Sequence, residues 1–392
     1  MNHRIYLDNA ATTRVHEEVL AKMLPFFRET YANPSAIYGF AGEAKKAVEA
    51  ARGQAAALIG AKPNEIYFTS GGSESDNWAI RAVAEGFAHK GKHIITSKIE
   101  HHAVLHTCAY LEKQGYEVTY LDVDGEGFVS PEALERAVRP DTILISVMAA
   151  NNEIGTVEPL ARIGEIAHEK GVLFHTDAVQ AYGHIPLDVE KLHIDMLSAS
   201  GHKLNGPKGV GILYCRENVP IRPLMHGGAQ ERGRRAGTLN VPGIVGFGRA
   251  AALAGETMQE RQKKETALRD YLIGRVLAEI PYTRLNGPEQ DRLPNNASFC
   301  FRFIEGESLL ILLDQRGICA SSGSACTSGS LDPSHVLLAI GLPHETAHGS
   351  LRITLSEETT REELDYVAES LGEIVGRLRS MSPLYEDFLK QL

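Results

Sequence analysis

The chain has 392 residues, enough for two or three domains with cores of their own. Its composition, 43% hydrophobic and 23% charged, is that of a folded globular protein, and a formal net charge of -10 disfavours nucleic acid and anionic membrane surfaces as partners. No segment approaches the roughly 20 apolar residues that span a bilayer, and the amino terminus lacks an export pattern, so we expect a cytoplasmic protein.

The five cysteines form an odd set without Cys-x-x-Cys spacing. They are Cys108, Cys215, Cys300, Cys319 and Cys326. This pattern favours neither a disulfide framework nor a four-cysteine zinc site, and we expect at least one free thiol.

Between residues 65 and 214, short apolar runs alternate with helix-length amphipathic segments. Strands are predicted at 65–69, 93–96, 117–121, 142–147, 172–175, 196–198 and 210–214. Helices are predicted at 76–88, 103–114, 131–138 and 161–170. This alternation predicts an α/β fold, a mostly parallel sheet with helices on both faces. Ligands on such sheets bind at the carboxyl ends of the strands.

After Pro242 the pattern changes to that of a smaller α+β domain. We expect helices at 243–276, 308–316 and 360–379, and strands at 295–303 and 350–356. Residues 13–255 are assigned to the large domain. Residues 1–12 and 256–392 are assigned to the small domain, which carries a Ser/Gly-rich loop at about 321–332. A cleft between the two domains is the expected substrate site.

The first candidate site is the glycine-rich turn that follows the strand at 65–69. Gly71, Gly72 and Ser73 open a helix, so backbone N–H groups and a hydroxyl can cradle a phosphate. No Gly-Lys-Ser/Thr follows, which excludes a nucleotide P-loop. Glycine-rich turns of this kind also occur for steric reasons alone, so the motif leaves both interpretations open.

Polar side chains also follow three later strands. His101 can shuttle a proton or stack on an aromatic ring, or it can simply cap a helix. Asn152 can hydrogen-bond an oxygen substituent, or it can be an ordinary turn residue. Asp177 can bind a protonated ring nitrogen or cap a helix, and Gln180 can reach a hydroxyl on the same ring.

Lys203 lies in an irregular connection after the strand at 196–198. A lysine held there can be partly desolvated and condense with a carbonyl, or it can be a surface lysine beside a turn. A phosphate cradle, a group for a ring face, a carboxylate for a ring nitrogen and an amine for an aldehyde are together what pyridoxal 5'-phosphate requires.

Two further residues suggest substrate chemistry. Cys326 lies in a run without large side chains, which we expect to be mobile and to expose the thiol, although a harmless loop cysteine has the same pattern. Arg352 lies on an alternating strand, where it can hold a carboxylate by two parallel hydrogen bonds or be a solvated strand residue.

These motifs resemble those of the group I cysteine desulfurases (NifS and IscS type), which are fold-type-I pyridoxal phosphate enzymes of aminotransferase class V. The resemblance runs essentially end to end, and the SGHK and SSGSACTSGS segments are its most specific parts. Its motifs are YLDNAATT, TSGGSESDN, EHHAVL, ANNEIGT, FHTDAVQ, SGHKLNGPKG, ERGRRAGT, SSGSACTSGSLDPSHVL and AHGSLRITLS.

The resemblance implies a role for each candidate residue. Lys203 would bind the cofactor aldehyde, Cys326 would be the nucleophile, and His101 would stack on the ring and assist proton transfer. Asp177 would bind the ring nitrogen. The implied phosphate ligands are Gly72, Ser73, Ser200, His202 and, from the neighbouring subunit of a homodimer, Thr238. Gly201 is implied as a further cofactor-binding residue. The implied ligands of the ring oxygen are Asn152 and Gln180, and those of the substrate carboxylate are Asn33, Asn152 and Arg352.

The implied reaction converts L-cysteine to L-alanine and leaves a persulfide on Cys326. That persulfide would supply sulfur to an iron–sulfur scaffold protein of the NifU or IscU type and would be a transient iron–sulfur ligand. Two alternatives stay open on the sequence. One is a selenocysteine lyase or another class V pyridoxal phosphate transaminase, and the other is a non-catalytic scaffold that binds sulfur or a cluster.

Overall fold

The computed structural model describes residues 4–322 and 333–391. Cys326 and most of the predicted loop at 321–332 lie outside the described residues. No helix in the described ranges is long and apolar enough to cross a membrane.

The strands and helices are labelled in chain order. The strands are β1 (Ile5–Tyr6), β2 (Ile66–Thr69), β3 (His93–Ser97), β4 (Glu117–Leu121), β5 (Thr142–Ser146), β6 (Leu173–Asp177), β7 (Met196–Ser200), β8 (Gly211–Cys215), β9 (Thr283–Leu285), β10 (Asn296–Phe301), β11 (Ile318–Cys319) and β12 (Ser350–Thr354). The helices are α1 (Glu17–Met23), α2 (Pro25–Arg28), α3 (Gly39–Ala57), α4 (Gly72–Phe87), α5 (His102–Glu112), α6 (Pro131–Ala137), α7 (Leu160–Lys170), α8 (Gln230–Gly233), α9 (Val241–Glu279), α10 (Gly306–Gln315), α11 (His335–Ala339), α12 (His344–His348), α13 (Arg361–Ser380) and α14 (Pro383–Leu389).

A seven-stranded sheet forms the centre of the fold, in the order β2-β8-β7-β6-β5-β3-β4. All neighbours are parallel except those of β8, which is antiparallel to both β2 and β7. Every residue of β3, β5, β7 and β8 is buried, as expected for strands covered by helices on both faces. The predicted α/β fold class is confirmed.

The strand directions bring the candidate residues to one edge of this sheet. Because β2 and β7 are both antiparallel to β8, β2 runs in the same direction as β7 and its parallel neighbours. The carboxyl ends of β2, β3, β5, β6 and β7 therefore meet at one edge. Asp177 is the last residue of β6, and the other candidate residues follow the ends of the remaining four strands. They are Gly72, His101, Asn152 and Lys203.

A second set of strands lies nearer the carboxyl terminus. Strands β12, β10 and β9 form an antiparallel sheet, and β1 pairs with β11 in parallel. Isolated bridges from Asp8 to Thr354 and from Ser321 to Arg352 connect this pair to β12. The first residues of the described chain thus lie against the second sheet.

Helix α9 contributes to both buried cores. Ile244 and Phe247 near its start pack in the core of the seven-stranded sheet, whereas Leu272 and Val276 pack with β10, β12 and α13. The predicted domain boundary at residue 255 falls inside this continuous 39-residue helix, with no loop at that position. The division into two domains stays a prediction.

Helix α3 was absent from the predicted elements. Its buried positions are mostly alanines, among them Ala44, Ala51 and Ala55, so it has only a weak apolar periodicity. Small residues let it approach α9 closely. A Cβ at Gly248 of α9 would lie only 2.5 Å from the Cα of Ala51.

The buried carboxyl group of Glu158 makes the stability of the folded protein depend on pH. Its Oε2 accepts a hydrogen bond from the Val129 N–H at 3.0 Å, and its Oε1 is buried without a hydrogen-bond partner among the described residues. Burial raises the pKa of Glu158 to about 8. The stability that depends on its neutral form is therefore fully present below the unfolded pKa of about 4.5 and is lost as pH rises toward 8.

We predict that Glu158→Gln removes part of this pH dependence, because the amide oxygen keeps the bond to Val129 and cannot ionise. Between about pH 5 and about pH 8, the variant should lose less stability than the wild type by on the order of 2 kcal/mol. Urea unfolding at both pH values measures this difference. Glu165→Gln, at an exposed position of α7, is the control, and equal losses in Glu158→Gln and wild type would contradict the assignment.

Candidate active site

A cavity of about 370 Å³ lies at the amino terminus of α4. The residues that line it are Thr12, Ser70, Gly71, Gly72, Ser73, Glu74, Ser200, His202, Lys208 and Gly209. A Cβ at Gly72 would lie 2.5 Å from Cγ2 of Val179, so the cavity requires glycine there. Unpaired N–H groups of a 16-residue helix and the Lys208 amine make this a cavity suited to an anion.

The acidic residue in this lining, Glu74, is neutralised by a neighbouring segment. Arg235 donates from Nε and Nη2 to its two carboxylate oxygens, at 2.8 and 3.0 Å, and the Ser70 N–H donates at 2.7 Å. Burial alone raises the pKa of Glu74, but the bonds from Arg235 and Ser70 outweigh it and lower the pKa. The ion pair leaves the cavity attractive to a phosphate despite the carboxylate.

His202 contributes to the same cavity as a neutral imidazole. Its Nδ1 lies 3.2 Å from the Thr12 hydroxyl. Burial, together with the charges of Lys203 and Lys208, lowers the pKa of His202 to about 4. At neutral pH it therefore offers a hydrogen bond and no positive charge.

Beside this cavity, Asp76, His101 and Asp177 bring one ligand atom each to within 4.8 Å of one another. Both carboxyl groups are buried, and burial raises the pKa of each. At Asp177, the charges of His101 and Lys203 oppose this rise, and they have no such effect at Asp76. Two carboxyl groups this close do not ionise together readily, so Asp177 is the better placed to hold the negative charge. Such a group can bind a protonated ring nitrogen or a cation.

The structure excludes one of the two interpretations of Asp177, and its binding of a ring nitrogen stays a prediction. Its Oδ1 accepts the Val179 N–H at 2.9 Å, which closes a turn, and no helix begins there. Asp177 is therefore not a helix cap. Asp76, on α4, was missed by the sequence analysis because its approach to Asp177 is a long-range contact without a local pattern.

Lys203 ends a short 3-10 turn that begins directly after β7. Its Nζ donates to the carbonyl oxygens of Ala10 and Ala11, the second at 2.8 Å. Gln180 Nε2 donates to the same Ala10 oxygen at 3.0 Å. The amine is thus directed into the site by backbone oxygens and does not extend into solvent.

Arg352 lies in β12 with its side chain only 3% exposed. Nη1 donates to the Asn152 carbonyl oxygen at 3.0 Å, and Nη2 donates to Asp8 Oδ1 at 2.9 Å. Its backbone exchanges two hydrogen bonds with Ser321, the residue where the predicted cysteine loop starts. Arg352 is therefore buried and ion-paired, and its interpretation as a solvated strand residue is wrong.

Two predicted residues are not brought into this site by the described chain. Asn33 is exposed, and its side chain accepts the Ser35 N–H at 3.0 Å. Thr238 is exposed on the segment before α9 and is not among the residues that line the phosphate cavity. Cys326 lies outside the described residues.

The segment from residue 8 to residue 13 connects the parts of the site. Asp8 contacts Arg352, the carbonyls of Ala10 and Ala11 hold Lys203, Thr12 lines the phosphate cavity, and Thr13 bonds to the His202 carbonyl oxygen. The sequence analysis used YLDNAATT only as a mark of resemblance. The unusual run of small and polar residues beside a short apolar strand was the available signal.

This site, at the carboxyl edge of a mostly parallel sheet, has the architecture of a pyridoxal phosphate enzyme. Comparisons of the chain with known proteins agree with this class. The aminotransferase class-V family model matches residues 5–367, so the chain belongs to that family.

Relatives cover the whole chain. It is 59% identical to "Cysteine desulfurase IscS" of Methanosarcina thermophila over 383 aligned residues. These residues are 98% of this chain and 95% of the relative. It is 57% identical over 392 residues to the protein of that name from Clostridium botulinum, covering 100% and 99%. A solved "NifS-like protein" superposes with a TM-score of 0.90 at 44% identity, covering 96% of this chain and 100% of that one. Enzymes of this family that carry those names depend on pyridoxal 5'-phosphate.

We predict that Gly72→Ala weakens the binding of pyridoxal 5'-phosphate at least about tenfold, because the added methyl group collides with Val179 and displaces the turn that lines the cavity. Titration of the cofactor-free protein, followed by absorbance, measures the dissociation constant.

Gly53→Ala is the matched control. Gly53 lies on α3, and a Cβ there meets no heavy atom within 4 Å. Its cofactor affinity should equal that of the wild type. Wild-type affinity in Gly72→Ala would contradict the assignment of this cavity to the phosphate.

Proposed function

We propose that this chain is a pyridoxal 5'-phosphate-dependent cysteine desulfurase, which converts L-cysteine to L-alanine and retains the sulfur as a persulfide. Its full-length similarity to curated cysteine desulfurases supports this activity. The observation that carries the proposal in the structure is the position of Lys203. Its amine lies at the sheet edge where the phosphate cavity and the buried Asp177 also lie.

The described residues fit the groups of the cofactor. Gly72, Ser73, Ser200, Gly201 and His202 would hold the phosphate in or beside the glycine-rich cavity. Asp177 would bind the ring nitrogen, His101 would lie against the ring, and Asn152 and Gln180 would bond to the ring oxygen. When bound, pyridoxal 5'-phosphate supplies an aldehyde that accepts the substrate amine and a ring that takes up electrons from Cα.

The side chains of this protein then supply the proton transfers. Two backbone carbonyls accept from Lys203 Nζ and hold the amine in place between them. From this position the amine can take a proton from Cα of the substrate and return it. His101 Nδ1 accepts the Ala103 N–H at 3.1 Å, so its Nε2 carries the proton and is the nitrogen that can donate.

Arg352 would bind the substrate carboxylate. Its Nε is buried and has no hydrogen-bond partner among the described residues, which leaves a donor for an incoming oxygen. Asn152, whose carbonyl oxygen accepts from Nη1, would bind the substrate carboxylate from the same side. Asn33 would join these ligands only after a movement of its exposed segment.

Cys326 would be the sulfur acceptor. Its thiolate attacks the sulfur of L-cysteine, the carbon–sulfur bond breaks, and Cα and Cβ of the product receive protons, giving L-alanine and a Cys326 persulfide. We further propose that an iron–sulfur scaffold protein of the NifU or IscU type is the final acceptor of this sulfur. We also propose that the persulfide is a transient iron–sulfur ligand. The name cysteine desulfurase, which the relatives carry, supports the release of sulfur from L-cysteine. Supply of this sulfur for iron–sulfur cluster assembly is part of the proposal.

The alternatives receive less support. The relatives cited above are called cysteine desulfurases, which does not favour a selenocysteine lyase or another transaminase. A non-catalytic scaffold would have no use for a lysine held at the edge of a phosphate cavity. The proposal also includes a cytoplasmic location, in keeping with the free cysteines Cys108, Cys215, Cys300 and Cys319.

We predict that Cys326→Ala keeps the cofactor absorbance but forms no persulfide from L-cysteine. Incubation with L-cysteine, with alanine and protein-bound sulfur both quantified, measures this. Cys319→Ser, which replaces the neighbouring free thiol, is the control and should keep both products. Persulfide formation at the wild-type rate in Cys326→Ala, or pyruvate as the main product of the wild type, would contradict the mechanism.

The homodimer in this proposal places Thr238 at the phosphate of the partner subunit. Thr238→Ala should weaken cofactor affinity about ten- to a hundredfold, the loss of one hydrogen bond to a charged group. In a mixed dimer of Thr238→Ala and Lys203→Ala chains, the site with an intact lysine faces an intact threonine, so wild-type affinity should return there. Failure of the mixed dimer to recover would mean that Thr238 acts within its own chain or not at all.

A further inference from the structure

Asp8 and Arg352 form a fixed ion pair at the entrance to the proposed carboxylate site. One oxygen of Asp8, Oδ1, accepts from Nη2 at 2.9 Å, while Nη1 is bonded to the Asn152 carbonyl. Nε is buried without a hydrogen-bond partner in the described part of the chain. The guanidinium group therefore keeps a donor for a ligand while Asp8 stays bound.

The backbone holds Asp8 in this position. It lies two residues after the end of β1 and forms a bridge with Thr354, and its carbonyl oxygen accepts the Ala11 N–H at 3.0 Å. Its side chain is 21% exposed, so solvent screens its charge only in part. The Asp8 carboxylate is thus held beside the guanidinium group, with Oδ1 2.9 Å from Nη2.

The charge balance has a consequence for the choice of substrate. The single positive charge of Arg352 is already matched by Asp8 before a ligand arrives, and a substrate carboxylate adds a second negative charge. Glu153 also acts on Arg352, but burial raises the pKa of Glu153 to about 7, so it carries only part of a charge at neutral pH. A third full negative charge would be unfavourable.

We infer that Asp8 is a specificity-determining residue that allows Arg352 to bind one carboxylate and excludes amino acids whose side chains carry another negative charge. This inference rests on the proposed function, in which Arg352 binds the substrate. The Cβ atom of an α-amino acid is two bonds from the carboxylate carbon, and a substituent on Cβ is three bonds from it. An anionic substituent there therefore lies near enough to Asp8 for like-charge repulsion to weaken binding about tenfold.

L-aspartate and L-asparagine provide a matched pair of ligands, since they differ in side-chain charge and hardly in size. Their dissociation constants for the holoenzyme can be measured from the change in cofactor absorbance. We expect the wild type to bind L-asparagine at least about tenfold more tightly than L-aspartate. Equal binding by the wild type would overturn the inference, whatever the variants do.

Asp8→Asn removes the charge and keeps an oxygen that can accept from Arg352, and Asp8→Ser is the second neutral variant. In either one that folds, the preference for L-asparagine should fall about tenfold. A preference within about twofold of the wild type would show that Asp8 is only structural and would overturn the inference. Glu358→Gln, which removes an exposed carboxylate paired with Arg14, should leave the preference unchanged.

Alanine formation from L-cysteine by the wild type is scored separately. If the wild type prefers L-asparagine to L-aspartate but forms no alanine, the proposed function alone is refuted. If it forms alanine but binds the two amino acids equally, the role of Asp8 alone is refuted.

Discussion

The shared carboxyl edge of five strands is the constraint on which this site depends. Strand β8 runs opposite to its neighbours, and β2 on its far side returns to the direction of β7. The glycine turn after β2 and Lys203 after β7 consequently lie at the same edge, with Ser200 and His202 completing one cavity. A single reversed strand thus brings the phosphate cavity next to the amine.

The same edge concentrates buried charge, and the structure compensates each charge in a different way. Arg235 neutralises Glu74, two backbone carbonyls hold Lys203, and Asp8 neutralises Arg352. The pair of Asp76 and Asp177 is the exception, because two buried carboxyl groups lie together and burial raises the pKa of both. A protonated ring nitrogen would offset that cost, so the bare site is suited to its cofactor.

Much of the fold and part of the site could be predicted from local patterns. The strands from β2 to β8 have continuous apolar runs, and Gly72, Asp177 and Lys203 each follow a strand that the periodicity identifies. The run of small and polar residues around Ala10 and Ala11 marks this segment but not its partner. Their contact with Lys203 could not be predicted, because it spans more than 190 residues of sequence and is made by backbone carbonyls. Asp8 and Asp76 were missed for the same reason, and α3 was missed because alanines give little periodicity.

Lys203 is the lysine that we propose to bind the cofactor aldehyde. Lys208 lines the phosphate cavity, to which Lys203 is connected through His202, so Lys208 is the residue from which Lys203 has to be distinguished. The most direct measurement is reduction of the holoenzyme with borohydride, followed by proteolysis and mass spectrometry of the labelled peptide. We expect the pyridoxyl phosphate group on Lys203. A label on Lys208, or on no lysine, would contradict this account of the site.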